Sequence, residues 1–350
     1  MAVDSSDILL IKAALTSDVT GAQNGGRPGL LVDVGDNYKN KVFPDTRASE
    51  RAAGCMHWRK LFWVNSKSDG TAAVNLLFFL RTASPGVSHG LLYPGTLTDT
   101  QDVMIGRGDR PYGVGTLTAA AALGATQITV QYEDASHAAL APFRAGDAVV
   151  IAFDPGDPLF DWEQATVGAG GVRDNGDGTV TLTLAAGLTK AWAGHSASGT
   201  AWPVYVASAW PAGTLQATAS APTVNGAGSY SASGNLIPSP AGGLLQGWTL
   251  TFINNADGSF TGAFRLDGDS LGSGIATGSR GADFSPPNPA GGVYFTLKAV
   301  GWAGTWAPGD RLSFTTTPGA AGFWLKRTVP AGAPASQYDD LWPGFVGDSA

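Results

Sequence analysis

One cysteine, Cys55, stands in 350 residues. That excludes an internal disulfide and any metal cluster built on cysteine, and it fits a chain made and assembled in a reducing cytoplasm. Charge is scarce as well: Asp, Glu, Lys and Arg make 14% of the chain, and the net charge is −7. Basic residues cluster only at Arg59-Lys60 and Lys326-Arg327, each pair embedded between apolar residues. Phosphate binding needs a positive field, which argues against nucleic acid as a partner. Long apolar runs are missing. The N-terminal run Ile8 to Ile11 is short and follows acids instead of a basic stretch, so it reads as neither a secretion signal nor a membrane span. Export would need another route, such as cell lysis. The histidines His57, His89, His137 and His195 stand apart, with no His-x-x-x-His and no His/Cys grouping. Lone histidines in loops are usually solvated or hydrogen-bonded. No phosphate loop or dinucleotide fingerprint opens a helix after a strand. The expectation is a chain without cofactor or metal.

What is abundant is small and aromatic. Glycine (49) and proline (21) make a fifth of the chain, yet 43% is hydrophobic and 11 residues are Trp. Such a chain buries real cores, and its length suits two or three domains. A poorly charged surface with many aromatics belongs either to a protein covered by neighbours or to a β-protein with faces of Ser and Thr.

Turn chemistry punctuates short strands throughout. Residues 1–115 read as an N-terminal β-domain. Its strongest apolar runs are Lys60 to Val64 and Leu76 to Arg81, and strands are also expected at Asp7–Lys12 and Leu30–Val34. Ala48 to Met56 is the one short helix expected here, with loops over Gly86–Gly95 and Gly106–Gly115. Residues 116–210 read as a second β-domain, with strands at Gln127–Tyr132, Ala148–Phe153 and Thr179–Leu184. Residues 211–243 read as a linker and irregular arm, 244–332 as a C-terminal β-domain, and 333–350 as an extended tail able to dock on a neighbour. Two turn signals recur. Phe143-x-x-Gly146-Asp147 parallels Trp306-x-x-Gly309-Asp310, and Asn175-x-Asp177-Gly178-Thr179 parallels Asn255-x-Asp257-Gly258-Ser259. Their order is reversed between the two units, which favours shared hairpin rules over tandem duplication.

The clearest stretch runs from Tyr294 to Pro330. Tyr294-Phe-Thr-Leu-Lys298 is a strand, and Pro308-Gly309-Asp310 a turn. Arg311 to Thr315 alternate, and Phe323 to Val329 form another strand stopped by Pro330. The wording GWAGTWAPGDRLSFTTTPGAAGFWLKRTVPAG, preceded by Asp283-Phe284-Ser285-Pro286 and Asn288-Pro289, resembles a module in virion proteins of tailed bacteriophages, in tails and baseplates. The likeness covers about residues 280–332. It implies a virion structural protein made in the host cytoplasm.

Candidate chemistry is thin. Gly268-Asp-Ser-Leu-Gly272 fits the nucleophile-elbow pattern and the signature of GDSL hydrolases. All four histidines precede Ser270, the reverse of the order in those hydrolases, and the flanks are Gly-rich hairpin, so a turn is expected. Asp174 with Asp177, and Asp154 with Asp157, Asp161 and Glu163, resemble acidic calcium loops. The first lacks a distal bidentate carboxylate, and a plain hairpin explains its Asn-Gly and Asp-Gly. Asp161, Glu163, Asp267 and Asp269 are candidates for a glycosidase pair, whose spacing is spatial and not written in sequence. Trp192, Trp202, Trp210, Trp302 and Trp306 are candidates for stacking on sugars, against the commoner use of Trp in packing.

The expected whole is an all-β protein of two to three antiparallel β-sandwich or barrel-like domains with Gly/Pro-rich linkers. It is expected to be non-enzymatic and to form a symmetric homo-oligomer with other tail proteins at a phage baseplate or tail tip. Trp302, Trp306, Phe323, Trp324, Tyr338 and Trp342 are its expected interface or core anchors. The alternatives are a head-to-tail connector, a virion module binding a host cell-surface glycan, and a polysaccharide hydrolase.

Overall fold

The same alternation that marks a strand in sequence decides which layer each side chain enters. The computed structural model describes residues 2–17, 21–29, 42–84, 86–153, 161–192, 203–240, 242–289, 291–335 and 341–349; the strand expected over Leu30–Val34 lies outside them. In chain order the strands are β1 (Ile8–Leu15), β2 (Gly25–Pro28), β3 (Cys55–Asn65), β4 (Ala73–Thr82), β5 (His89–Pro94) and β6 (Val114–Leu117). Then come β7 (Gln127–Tyr132), β8 (Ala148–Phe153), β9 (Trp162–Asp174), β10 (Thr179–Leu184) and β11 (Val204–Leu215). Four short ones follow: β12 (Thr218–Ala219), β13 (Thr223–Asn225), β14 (Gly228–Tyr230) and β15 (Leu236–Pro238). The last are β16 (Gln246–Phe252), β17 (Ala263–Gly268), β18 (Gly272–Ser279), β19 (Phe295–Leu297), β20 (Trp302–Gly304), β21 (Arg311–Thr317), β22 (Ala320–Val329) and β23 (Trp342–Ser349). Among the described residues two short α-helices are present, α1 (Ala48–Ala53) and α2 (Gln101–Arg107).

The chain is all-β, built from several antiparallel sheets that include a closed six-stranded barrel. The first sheet runs β2-β1-β3-β22-β5. The second begins β23-β4-β11 and continues β6-β7-β10-β9-β8, and β8 returns to pair with β11 and closes the barrel. Closure leaves those strands without an open edge. The first sheet and the β23-β4-β11 end share a core of Ile8, Leu10, Leu61, Trp63, Phe78, Leu80, Phe323 and Leu325. Val130, Ile151, Val180, Leu182, Trp192 and Val206 fill the barrel. In β8, Val149 and Ile151 point into the barrel while Val150 joins the sandwich core; in β11, Val204 and Val206 face inward while Tyr205, Ala207 and Ala209 face the sandwich. Two buried faces explain why these segments are continuous apolar runs.

The third sheet is β12-β21-β16-β17-β18, with β13 also on β21. Two small ladders, β14–β20 and β15–β19, complete this unit. Its core joins Trp248, Phe252, Phe264, Phe295, Trp306 and Phe314. Residues 211–243, expected as linker and arm, therefore carry four strands that pair with β19, β20 and β21, as well as the end of β11.

Connections reach further than the sequence order suggests. The strand expected over Phe323–Val329 forms within β22, but it runs between β3 and β5 of the first sheet, ten residues in register with β3. The tail strand β23 pairs with β4 of its own chain. Phe345 sets its ring edge on Trp63 at 4.9 Å, and Leu341 lies over Gly90, where a Cβ would come within 2.4 Å of it. Replacing the half-buried Phe345 by Ala should cost about 2 kcal/mol, roughly half the loss at a fully buried Phe. A urea titration of the two proteins would measure it, and an unchanged midpoint would show that the tail strand contributes nothing to the fold.

Two expected loops are partly ordered elements. Gly86–Gly95 contains β5, which pairs with β22 on one side and on the other makes a single bridge, Leu92 to Tyr112, so its end tolerates Pro94. Gly106–Gly115 overlaps the end of α2 and the start of β6. Gly106 inside the helix masks its pattern, and Gly108, in the left-handed region at φ 67°, ends it.

Candidate functional site

A cleft of about 1050 Å³ lies where the N-terminal segment, β4, the β8–β9 hairpin and the tail strand meet. Its lining includes Asp4, Arg81, Trp162, Trp342 and Asp348. Trp162 is 43% exposed and Trp342 39% exposed. Trp162 opens β9 opposite Ala152, and its carbonyl accepts from Lys190 Nζ at 2.9 Å while Lys190 also pairs with Asp161. Trp342 opens β23 opposite Thr82. A second, shallower groove of about 560 Å³ crosses the outer face of the third sheet, over Ser220, Thr249, Asp267, Asp269 and Ser313.

The expected anchors divide. Trp306 is buried and stacks on Phe252 at 4.5 Å. Trp302 is half-buried, edge-on to Tyr230 at 4.6 Å and to Trp306 at 5.3 Å. Phe323 and Trp324 are fully buried. Trp342 alone of the described anchors lies on the cleft; Tyr338 lies outside the described residues. The candidates for sugar stacking are equally inward. Trp192 is buried, and Trp210 packs edge-on against Phe78 at 5.6 Å. Trp202 lies outside the described residues, as do His195, Asp154 and Asp157. Trp162 was not singled out by sequence; an indole between Asp161 and Glu163 at a strand start carries no local mark of exposure.

The candidate carboxylates hold structure together. Glu163 Oε1 accepts from Thr189 N at 2.5 Å, and Oε2 accepts from Trp192 Nε1 at 2.9 Å. Burial pushes this carboxyl up, and the hydrogen bonds outweigh it, holding it below the ordinary range. Asp161 is held low by Lys190. Asp267 is gripped by both arms of Arg265, at 3.0 and 2.9 Å, and that pairing holds it low. Asp269 faces Arg27 at 3.3 Å. Ser270 Oγ donates to Gln246 Oε1 on a turn between β17 and β18, both strands. Among the described residues no histidine bonds to it, and it joins two antiparallel strands with no helix after it, so this stretch is a hairpin turn.

One constellation looks catalytic and its bonding argues otherwise. Cys55 Sγ lies 4.0 Å from His57 Nδ1, and Glu50 Oε1 lies 3.8 Å from His57 Nε2. Arg327 Nη2 sits 3.1 Å from the same Nδ1. A guanidinium only donates, so that nitrogen is an acceptor already engaged. Burial, with Glu50 adding to it, pushes the thiol up, away from the thiolate a nucleophile needs.

The Asp174–Thr179 turn has the bonding of a plain hairpin. Asp177 Oδ1 accepts from Thr179 N at 3.0 Å and from its hydroxyl at 2.6 Å, and Asp174 Oδ1 accepts from Gly176 N at 2.9 Å. Among the described residues no three His, Cys, Asp or Glu are grouped to hold a metal ion, and no helix is long and apolar enough to cross a membrane. No protein family, curated protein or solved structure matches this chain.

Proposed function

We propose that this chain is a structural protein of a phage tail, at the baseplate or tail tip, acting as a rigid β-body that assembles into a symmetric ring with copies of itself and with other tail proteins. The observation that carries this reading is how the stretch with phage-virion wording is built in. Its last strand, β22, is laced between β3 and β5 of the N-terminal sheet, and the tail strand is laced onto β4. First and last segments thus lock each other, which suits a body that transmits force. The engaged bonding of Ser270, Asp161, Glu163 and Asp267 supports a mechanical role over a hydrolytic one. Repetition around a symmetry axis lets modest contacts sum to a stable particle.

The test is cross-linking and mass spectrometry of purified particles, with mass photometry of the purified chain. The expected result is cross-links to copies of this chain and to tail proteins. A lone monomer absent from particles, or measured turnover on host polysaccharide, would overturn the proposal.

A further inference from the structure

The geometry of the large cleft points to a ligand: we propose that it binds a neutral pyranose oligosaccharide. Much of its aliphatic lining is already spent on packing: Ile8, Leu10, Leu76 and Val150 are all at most 6% exposed, and Val3, Leu9 and Val346 are half-buried. What the cleft presents outward is two indoles, Trp162 and Trp342, on separate walls. Around them stand Asp4, Ser5, Arg81 and Asp348. Flat apolar rings bordered by hydroxyls, carboxylates and a guanidinium match a sugar, whose ring has an apolar C–H face and a rim of hydroxyls that donate and accept. Aliphatic peptide side chains would find most of the matching positions filled.

The backbone that carries each indole is held in place before any ligand arrives. Lys190 ties the Trp162 backbone, with its partner Asp161 pairing at the same point. The Trp342 backbone is fixed by β4, and Phe345 anchors its strand on Trp63. A fixed backbone lowers the entropy lost on binding. Asp4 accepts from Ser6 N through Oδ1 at 2.8 Å, and its other oxygen has no partner among the described residues. Asp348 Oδ2 accepts from Asn75 at 3.2 Å and keeps further acceptor capacity. Two acids against one Arg in the cleft, on a chain of net charge −7, disfavour a polyanion. A cleft of about 1050 Å³ lies at the upper end of ordinary ligand sites and has room for several rings.

This inference goes beyond the structural role and fails separately from it: a chain that assembles but binds no sugar keeps the first and loses the second. The experiment screens the full-length protein on an array of neutral gluco-, galacto- and manno-configured oligosaccharides, then measures the best ones by calorimetry. Trp162→Ala and Trp342→Ala are each expected to weaken binding at least tenfold, with unchanged melting temperature. Trp58→Ala, which alters an indole packed on Tyr93 at 5.1 Å and outside the cleft lining, should leave affinity unchanged. Should Trp342→Ala melt early, Trp162→Ala decides alone, since its backbone ties remain. No binding by the native protein, binding indifferent to both cleft variants, or capture of only anionic glycans or peptides would overturn the proposal.

Discussion

Replacing Asp99 by Asn is expected to destabilise the protein by about 3–5 kcal/mol, the cost of leaving a buried charge without its partner. The Lys60 and Asp99 side chains are 0% and 1% exposed, with Nζ 2.5 Å from Oδ1. Arg107 Nη1 reaches Oδ2 at 2.8 Å, and Trp324 Nε1 donates to the same oxygen at 3.3 Å. Lys60 Nζ also donates to the carbonyls of Gly26 at 2.6 Å and Asp99 at 2.8 Å. One ammonium thus ties β3, β2 and the segment before α2, while Trp324 ties β22 to them. Burial drives Lys60 below its ordinary value although Asp99 pulls it back; burial raises Asp99, and Lys60 with Arg107 overcome this and hold it low. In Asp99→Asn the counter-charge is gone and Lys60 falls further. A base whose folded pKa is depressed loses stability as pH drops below its unfolded value, so this variant should regain stability as pH rises from neutral toward 10. The native protein should show a shallower slope, because Asp99 pulls Lys60 part of the way back. Lys60→Met with Asp99→Asn should recover part of the loss, because removing both charges leaves fewer of them unpaired. Urea titrations of the three proteins at pH 7 and pH 9 measure each quantity. A single Asp99→Asn variant as stable as the native protein would show that Arg107 and water, not the pair, govern this site.

Nothing in the sequence around Lys60 announces that site. Arg59-Lys60 reads there as a basic pair between apolar residues, and Asp99 lies in a Thr-rich loop. What was legible was local. The two Asn-x-Asp-Gly turns adopt one bonding pattern: Asn175 N and Asn255 N donate to Thr179 O and Ser259 O at 3.1 and 2.7 Å. Asp177 and Asp257 each accept from the backbone and the hydroxyl of the residue two ahead. Both Asn side chains donate to hydroxyls four and six residues on. The Gly-Asp turns agree equally well: Asp147 Oδ2 accepts from Arg144 N at 2.7 Å and Asp310 Oδ2 from Ala307 N at 2.8 Å. Such turns are visible because every partner lies within a few residues.

Strand pairing at a distance was not legible in the same way. Period-two alternation located β21 and β22 but carries no address for a partner. β21 pairs with β16 of its own unit, whereas β22, after a break at Pro318-Gly319, crosses to β3 more than 250 residues earlier in sequence. Exposure was equally hidden. Trp306 and Trp342 both stand beside Pro and Gly, yet one is stacked inside a core and the other borders a cleft. The difference comes from what the distant chain places over each ring.

Acidification from pH 6.5 to 4 is expected to cost the native protein about 3 kcal/mol through a single side chain, His137. This residue is 2% exposed, on the 3-10 turn Ala135–Leu140 of the barrel unit. Its ring meets His89 of β5 edge-on at 5.0 Å, and its Nδ1 is buried without a hydrogen-bond partner. Burial, with His89 and then Lys326 adding to it against the pull of Asp134, lowers its pKa from 6.5 to about 4. The unfolded chain takes up the proton at 6.5 and the folded one does not. The stabilisation is therefore complete above pH 6.5, is lost progressively down to pH 4, and is flat below. That displacement converts to about 3 kcal/mol. The surrounding groups set the background: Asp134 lies 3.6 Å from His89, and Glu133 accepts from Ser84 N at 2.6 Å and Gly90 N at 2.8 Å. Hydrogen bonds from Ser136 outweigh burial and hold Asp134 below its ordinary 3.8, so its own contribution fades only below pH 4, outside the histidine window. His137→Phe keeps the ring contact and removes the titration. Urea midpoints at pH 7, 5.5 and 4 should fall steeply for the native protein and gently for the variant. Parallel slopes would mean that the turn opens before the proton matters, and that His137 is already solvated in the acid-stressed fold.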